Sequence, residues 1–386
     1  MEFNEVKILL VDGGDRQTLP LARAFKELGC KVATLNSSRL DLGYVSRYPD
    51  EKILDKAIHG DKAAHVNVIR RCIESKKYNL LVTTSDDTAE ALSLMKDEYK
   101  DVVKIAVPSP DLFYLAYDKN NTMKICMDNG IPCPKTYFDI KDVDSLLAKN
   151  LQFPIVVKPR KSFGAIGFHK VDDETQLRTL CEIIKNEIED YVFQEYIPQT
   201  NIQYECAMFV DNQNVVKTSC VFSKNRWFPV DGGSSTCNVT VDYPEIVESC
   251  TQLLKKINWR GSADVDLIFD PRDGVPKIME INPRVSGSVK VVLNSGVNIA
   301  KQIVELAFEK DVTPYLESKK GVCLRCIHTD LLWFLKSKKR FCSKPSWFSW
   351  KKTSDQVWSW LDPLPFFAFS LQAVMKYRRE MKKRAR

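Results

Sequence analysis

The first third of the chain alternates short apolar runs with amphipathic stretches. Val6 to Val11 is a continuous apolar run stopped by Asp12-Gly13-Gly14, the pattern of a buried strand and a turn. Leu21, Ala22, Phe25 and Leu28 then recur at helical spacing, with Gly29 as the stop. Lys31 to Asn36 predicts a second strand, Val66, Ile69 and Ile73 a helix, Leu80 to Thr84 a third strand, and Ile105 to Val107 a fourth. Strands alternating with helices imply a parallel sheet in an open α/β layer over residues 1–108. Gly13-Gly14 lacks the G-x-G-x-x-G spacing of a dinucleotide site and reads as a tight turn.

The pattern changes after Pro108 to Pro110. Asp118-Lys119 opens a helix closed by Gly130. Phe153 to Lys158 is an apolar strand ending in a lysine, followed by the small-residue loop Ser162 to Gly167. Val192 to Ile197, Tyr204 to Val210 and Val215 to Phe222 predict strands. Ile246, Val247, Cys250, Leu253, Leu254 and Ile257 mark an amphipathic helix. Ala263 to Phe269 and Lys277 to Ile281 flank the turn Asp270-Pro271-Arg272-Asp273-Gly274 and predict a hairpin. A helix over about Ile299 to Phe308 closes this part of the chain.

The hairpin carries the sharpest chemistry. Side chains alternate along a strand, so Asp264, Asp266 and Ile268 share one face, and Ile278, Glu280 and Asn282 another. If the strands pair, Asp266, Glu280 and Asn282 converge as a hard oxygen cluster of the kind that holds Mg²⁺. The competing reading is a solvated polar rim. Glu280 weighs against it, because a carboxylate in an apolar strand needs a positive partner. Lys158, at a strand end beside a glycine-containing loop, reads on its own as a solvated strand-end lysine or as a group placed to neutralise phosphate oxygens; G-x-x-x-x-G-K-[ST] is absent. Gln194-Glu195-Tyr196-Ile197 has the character of a main-chain linker beside an adenine slot, or of a plain strand.

Composition narrows the class. With 44% hydrophobic and 28% charged residues, the 386-residue chain is neither a disordered polymer nor a membrane bundle, and its length predicts two or three domains. No apolar run reaches the roughly 18–20 residues a bilayer span requires, and the start lacks a secretory pattern. The expected location is cytoplasmic, with twelve reduced cysteines. The net charge of +7 is unevenly spread. Residues 333–386 carry 14 Lys/Arg against 3 Asp/Glu, so residues 1–332 are mildly acidic and do not read as a nucleic-acid binder.

Asp118-Lys119, Ile155 to Lys158 with its loop, Gln194 to Ile197, Asp266, and Glu280-Ile281-Asn282-Pro283-Arg284 follow one another in a telling order. That order strongly resembles the ATP-grasp superfamily, especially the branch with carbamoyl-phosphate synthetase large chains, biotin carboxylase and D-aspartate-type ligases. The resemblance covers about residues 1–310. It implies a Rossmann-like pre-ATP-grasp domain over 1–108, then an α+β ATP-grasp domain over 109–310 whose two subdomains clamp ATP, the lid being about 119–190. Lys119 and Lys158 would contact ATP phosphates, and Ser162, Gly164 and Gly167 would belong to a loop closing over them. Glu195, Tyr196 and Ile197 would meet adenine, and Glu205 the ribose. Asp266, Glu280 and Asn282 would hold one or two Mg²⁺ (Mn²⁺ being compatible), and Arg284 would stabilise the transferred phosphoryl group. The implied reaction activates a small carboxylate as an acyl phosphate, which an amine or other nucleophile attacks. Carboxylase- or carbamoyl-phosphate-type phosphoryl transfer, or a silent nucleotide-binding accessory, are the alternatives. The loop KPRKSFGAIG is less glycine-rich than the family's usual version, and Asp266 stands where several relatives have glutamine or glutamate.

Arg226, between the adenine strand and the hairpin, is a candidate for pairing with a substrate carboxylate, or a surface arginine. Residues 311–386 lie outside the resemblance and read as a basic, aromatic-rich C-terminal extension. Cys323-x-x-Cys326 with His328 and Cys342 is half of a zinc signature and reads as buried cysteines. Trp333, Trp347, Trp350, Trp358 and Trp360 sit here among lysines, ahead of an apolar stretch and a final basic run. Two readings fit: an aromatic cap packed on the body, or peripheral contact of residues 333–386 with the inner face of an anionic membrane. A homodimer is compatible with either.

Overall fold

The computed structural model of the chain describes residues 2–161, 167–200, 202–230 and 233–384, with side chains through Met375. Ser162 and Gly164, expected in the closing loop, lie outside the described residues.

The N-terminal sheet is fully parallel. It comprises β1 (Lys7–Leu10), β2 (Lys31–Asn36), β3 (Glu51–Leu54), β4 (Leu80–Val82) and β5 (Lys104–Ile105), in the order β3-β2-β1-β4-β5. Both faces are covered, which explains the unbroken apolar run in β1. Ile8 and Leu10 point into a core shared with Phe25, Ile303 and Val304, while Leu9 and Val11 point into one with Ile69 and Leu92. β3 went unforeseen because an edge strand starting Glu51-Lys52 carries little apolar signal. The order reverses between β1 and β4, so a crevice opens beyond their C-terminal ends. Gly13 turns the chain there, and a Cβ on it would lie 2.2 Å from Asn36 Oδ1.

Two more sheets follow. The sheet of the segment expected as the lid is antiparallel: β6 (Thr136–Tyr137), β7 (Ile155–Pro159), β8 (His169–Val171) and β9 (Tyr191–Glu195), ordered β6-β9-β7-β8. The central sheet holds β10 (Gln203–Val210), β11 (Val216–Phe228), β12 (Ser234–Thr240), β13 (Gly261–Asp270), β14 (Val275–Asn282), β15 (Cys323–Arg325) and β16 (Thr353–Asp355), ordered β14-β13-β10-β11-β12-β15-β16.

The segment from 311 onward, expected as a C-terminal extension, donates β15 and β16 to the sheet that carries the hairpin. The helix Lys119–Asp128, at the start of the span expected as the lid, packs on the central sheet: its Met123 and Cys126 share a core with Ile278 and Ile281 of β14. Among the described residues no helix is long and apolar enough to cross a membrane.

Candidate active site

β13 and β14 pair antiparallel, with Asp264 opposite Asn282 and Asp266 opposite Glu280. The register then jumps, Leu267 faces Ile278, and Met279 is left as a β-bulge. This corrects the expected alternation, in which Ile278 and Glu280 share a face. The bulge sends Ile278 into the core beside Leu267 and leaves Glu280 on the open side with Asp266. β10 flanks β13 on its other side, with Glu205 opposite Asp266. Glu205, Asp266 and Glu280 therefore form one row of carboxylates across three strands.

Four cations face five carboxyl groups here. Lys119 Nζ lies 3.2 Å from Glu280. Lys224 of β11 sits between Glu205, at 2.8 Å, and Asp266, with which it is in direct contact. Arg284 pairs with Asp86 of the N-terminal domain at 3.0 Å and lies 3.6 Å from Asp264. Lys158, at the end of β7, is close enough to Glu280 and Lys119 to feel both charges. Burial tends to raise the pKa of Glu280, but Lys119 and Lys158 outweigh it and hold it below the usual carboxylate value. Burial likewise opposes charge on Lys224, and Asp266 and Glu205 overcome it. Burial of Asp266 wins over Lys224 and moves its pKa to about 6. Asp264 is the carboxyl left over. Burial, then Glu205 and Asp266, push it well above the carboxylate range, so it is the natural holder of a proton. Lys158 is moved down to about 8, by burial first, with Lys119 adding to the shift and Glu280 opposing it.

Such a surface attracts a polyanion accompanied by a hard cation. Asn282 reaches Asp266 through Nδ2 at 3.4 Å and accepts from Arg284 at Oδ1, also at 3.4 Å. Asp266, Glu280 and Asn282 thus sit together as an oxygen-rich set. Among the described residues no three His, Cys, Asp or Glu side chains form a closed metal cluster. The donors fit Mg²⁺, which draws its remaining ligands from water and phosphate, better than a metal needing a full protein cage.

The lid is tied to this surface at two points. Asp118 accepts from Arg160 Nε at 3.0 Å and Nη2 at 2.5 Å, and it also caps the helix that starts at Lys119. Glu195 accepts from Arg272 in the hairpin turn at 2.6 Å and from the Lys135 N–H at 2.8 Å. The Glu195 N–H is spent on the Lys135 carbonyl, and the Tyr196 N–H on Pro154. The Tyr196 ring stacks under Lys170, and Ile197 is buried. Gly167 adopts a positive φ of 72°, and a Cβ there would meet Pro159 at 2.8 Å.

Two expected site residues have other partners in the structure. Arg226 does not face the site. A second bulge, between Lys224 and Arg226, sends them to opposite faces of β11, opposite Asn238 and Cys237 respectively. Arg226 is fully buried, bidentate to Asp330 at 2.7 and 3.1 Å, and stacked on Trp333. Glu205, expected at the ribose, is not an open acceptor. It is buried and held by Lys224 and by the Ser286 hydroxyl, in the carboxylate row.

A family model described as an ATP-grasp domain matches residues 116–288. Those bounds enclose Lys119, Lys158, the lid and the whole carboxylate row. Residues 116–288 are an ATP-grasp domain. The chain is 27% identical over 349 residues to a D-aspartate ligase of Enterococcus faecium, covering 82% of this chain and 80% of that one. It is 24% identical over 240 residues to a carbamoyl phosphate synthase large chain of Thermoanaerobacter sp., spanning 57% of this chain but only 21% of the relative. Among solved structures, biotin carboxylase from Campylobacter jejuni in a β,γ-ATP complex superposes with a TM-score of 0.69 at 18% identity, over 82% of this chain and 73% of that one. That likeness bears on the fold. Within the ATP-grasp domain, Lys224, Asp264 and Arg160 were not singled out from the sequence for these roles, nor was Asp86 outside it. For Lys224 a signal did exist, a lysine two residues before Arg226 on a strand antiparallel to Glu205.

Proposed function

We propose that this chain is an ATP-dependent carboxylate–amine ligase. The observation that carries the reading is the row Glu205–Asp266–Glu280, ringed by Lys119, Lys158, Lys224 and Arg284. A carboxylate is a poor electrophile, and γ-phosphoryl transfer turns one of its oxygens into a leaving group. Lys119 and Lys158 bind the nucleotide phosphates from opposite sides, the helix start and the lid. Asp266, Glu280 and Asn282 would hold Mg²⁺, which neutralises charge between the phosphates. The Tyr196–Ile197 segment borders the adenine. Arg284 orients the transferred group, and Asp86 fixes its guanidinium. Lys158 already stands beside Glu280 and Lys119, so closure of the lid over the bound nucleotide serves to exclude water from the acyl phosphate.

An amine as the nucleophile is supported by the crevice at the end of β1. A cavity of about 350 Å³ there is lined by Asp12, Asp15, Asp41, Asp61 and Asp87 against Lys62 and His65, a setting suited to an ammonium group. Burial, then Asp12, moves the pKa of Asp15 up to about 6, within range to take the proton the attacking amine must lose. The D-aspartate ligase relationship supports the same reading. The test is Mg²⁺-dependent ADP release over a matrix of small carboxylates (bicarbonate included) and amines, with the product weighed by mass spectrometry. ADP release requiring both partners is expected, and Glu280→Gln should lose about 10²-fold or more in kcat while still unfolding in one cooperative transition. Release that needs no amine, or near-normal turnover in the Glu280→Gln variant, would refute the reading.

A further inference from the structure

The C-terminal helix Leu364–Arg384 has two apolar faces, and only one is covered. Phe366 and Phe369 pack against Leu19, Leu42 and Val357, and Gln372 donates to the Leu40 carbonyl at 3.0 Å. Ser370 meets His328 at 2.8 Å. These contacts fix the first turns of the helix on the body. On the other side, Leu364, Phe367, Leu371 and Val374 recur at spacings of three and four, so they form one stripe. Leu364 and Phe367 are 61% and 60% exposed, Leu371 and Val374 both 49%. Just ahead of the helix, Trp360 and Leu361 extend the stripe, at 86% and 65% exposed. A helix that is apolar all round is normally buried, and half of this one is not.

We propose that this stripe docks on the surface of an anionic lipid bilayer. The charge pattern selects the occupant. Beyond Met375 the sequence carries Lys376, Arg378, Arg379, Lys382, Lys383, Arg384 and Arg386 against Glu380 alone, and the helix continues to Arg384. Its 21 residues span about 31 Å. The helix is therefore apolar along its exposed first half and basic along its second. An aliphatic and tryptophan stripe needs an apolar medium, which a nucleic acid does not offer. The basic half needs anions, which the headgroups supply. No described helix is apolar enough to cross the bilayer, so the helix lies in the interface. Its packed face keeps the stripe preformed, which lowers the ordering cost of docking. This inference rests on the tail alone and stands apart from the ligase reading.

The test is sedimentation of the full chain with vesicles of phosphatidylcholine alone or with about one third phosphatidylserine, a composition chosen for its negative surface potential. Binding to the anionic vesicles is expected, at least tenfold above neutral ones, with a blue shift of tryptophan emission and loss in high salt. The L364S/L371S/V374S variant and, separately, K382E/K383E/R384E should each lose binding tenfold or more while keeping the wild-type Tm and solution ATP turnover. Absence of binding to anionic vesicles overturns the proposal. So does a concentration-dependent dimer that the L364S/L371S/V374S variant abolishes, which would make a second copy the occupant. Equal binding by wild type and both variants overturns it as well.

Discussion

Arg226 was the natural sequence choice for a substrate-binding arginine, and the structure makes it a strut. Two buried arginines share one buried acid. Asp330 accepts from Arg226 at 2.7 and 3.1 Å, from Arg325 Nε at 2.7 Å and Nη2 at 2.6 Å, and from Thr236 at 2.9 Å. The triad joins β11, β12 and β15 to the helix Ile327–Lys336, so it ties the tail to the ATP-grasp sheet. Its net charge decides the order of effects. Asp330→Asn leaves two guanidiniums without a counter-charge and should cost about 3–5 kcal/mol. Arg226→Met leaves a balanced Arg325–Asp330 pair and removes charged hydrogen bonds, about 1.5–3 kcal/mol. At about 2 °C per kcal/mol for a unit of roughly 250 residues, Tm should fall about 6–10 °C for Asp330→Asn and about 3–6 °C for Arg226→Met. Thermal unfolding and steady-state kinetics on the same preparations check this, with KM for ATP and acceptor unchanged in both. An Arg226→Met variant with wild-type Tm and a raised acceptor KM would refute the argument.

Four other outcomes follow from the site. The depressed pKa of Lys158, about 8, means its charge is lost as pH rises through that value, so the KM for ATP should climb above pH 8 toward tenfold per unit, and Lys158→Met should flatten the profile. The same shift bears on stability. An unfolded lysine titrates near 10.4, so between about 8 and 10.4 the unfolded chain binds more protons, and this group's contribution makes stability rise with pH. Lys224→Met leaves Glu205 and Asp266 facing each other and should lower Tm, with Mg-ATP restoring more of it than in the wild type, as thermal shift would read. Arg160→Ala cuts the lid's tie to Asp118 and should raise the KM for ATP about tenfold or more with less effect on kcat; an unchanged KM would mean the lid is held without it.

What could be read from the chain was order and local pattern. The unbroken run of β1, the helix after Asp118 and the hairpin around Asp270 to Gly274 are local signals, and each stands where its pattern put it. What escaped was register. At Met279 and at Asn225 a bulge reverses the facing of side chains two apart, so period-two reasoning paired Ile278 with Glu280 and could not tell Lys224 from Arg226. Long-range partners escaped as well. Nothing near Asp86 or Asp330 marks the arginines that sit 198 and 104 residues away. β15 and β16 are three residues each, too short for any periodicity to register, so their pairing with the central sheet was not legible in the tail.

The ties between lid and central sheet limit how the site can close. Pro159 pairs with Tyr191 and Ile155 with Glu195, so Arg160 and Glu195 lie at opposite ends of the β7–β9 ladder. Each end is held by a charged pair, to Asp118 on one side and Arg272 on the other. A sheet pinned at both ends tilts about the line between its pins more readily than it slides. Lys158 lies next to one pin, so tilting moves it little relative to Glu280, whereas β8, on the free edge, sweeps further. Lys158 is then set over the carboxylate row before nucleotide arrives. Its pKa of about 8 reflects that standing arrangement, burial with Lys119 beside it, and a bound polyphosphate would relieve it by supplying the counter-charge that Glu280 alone does not.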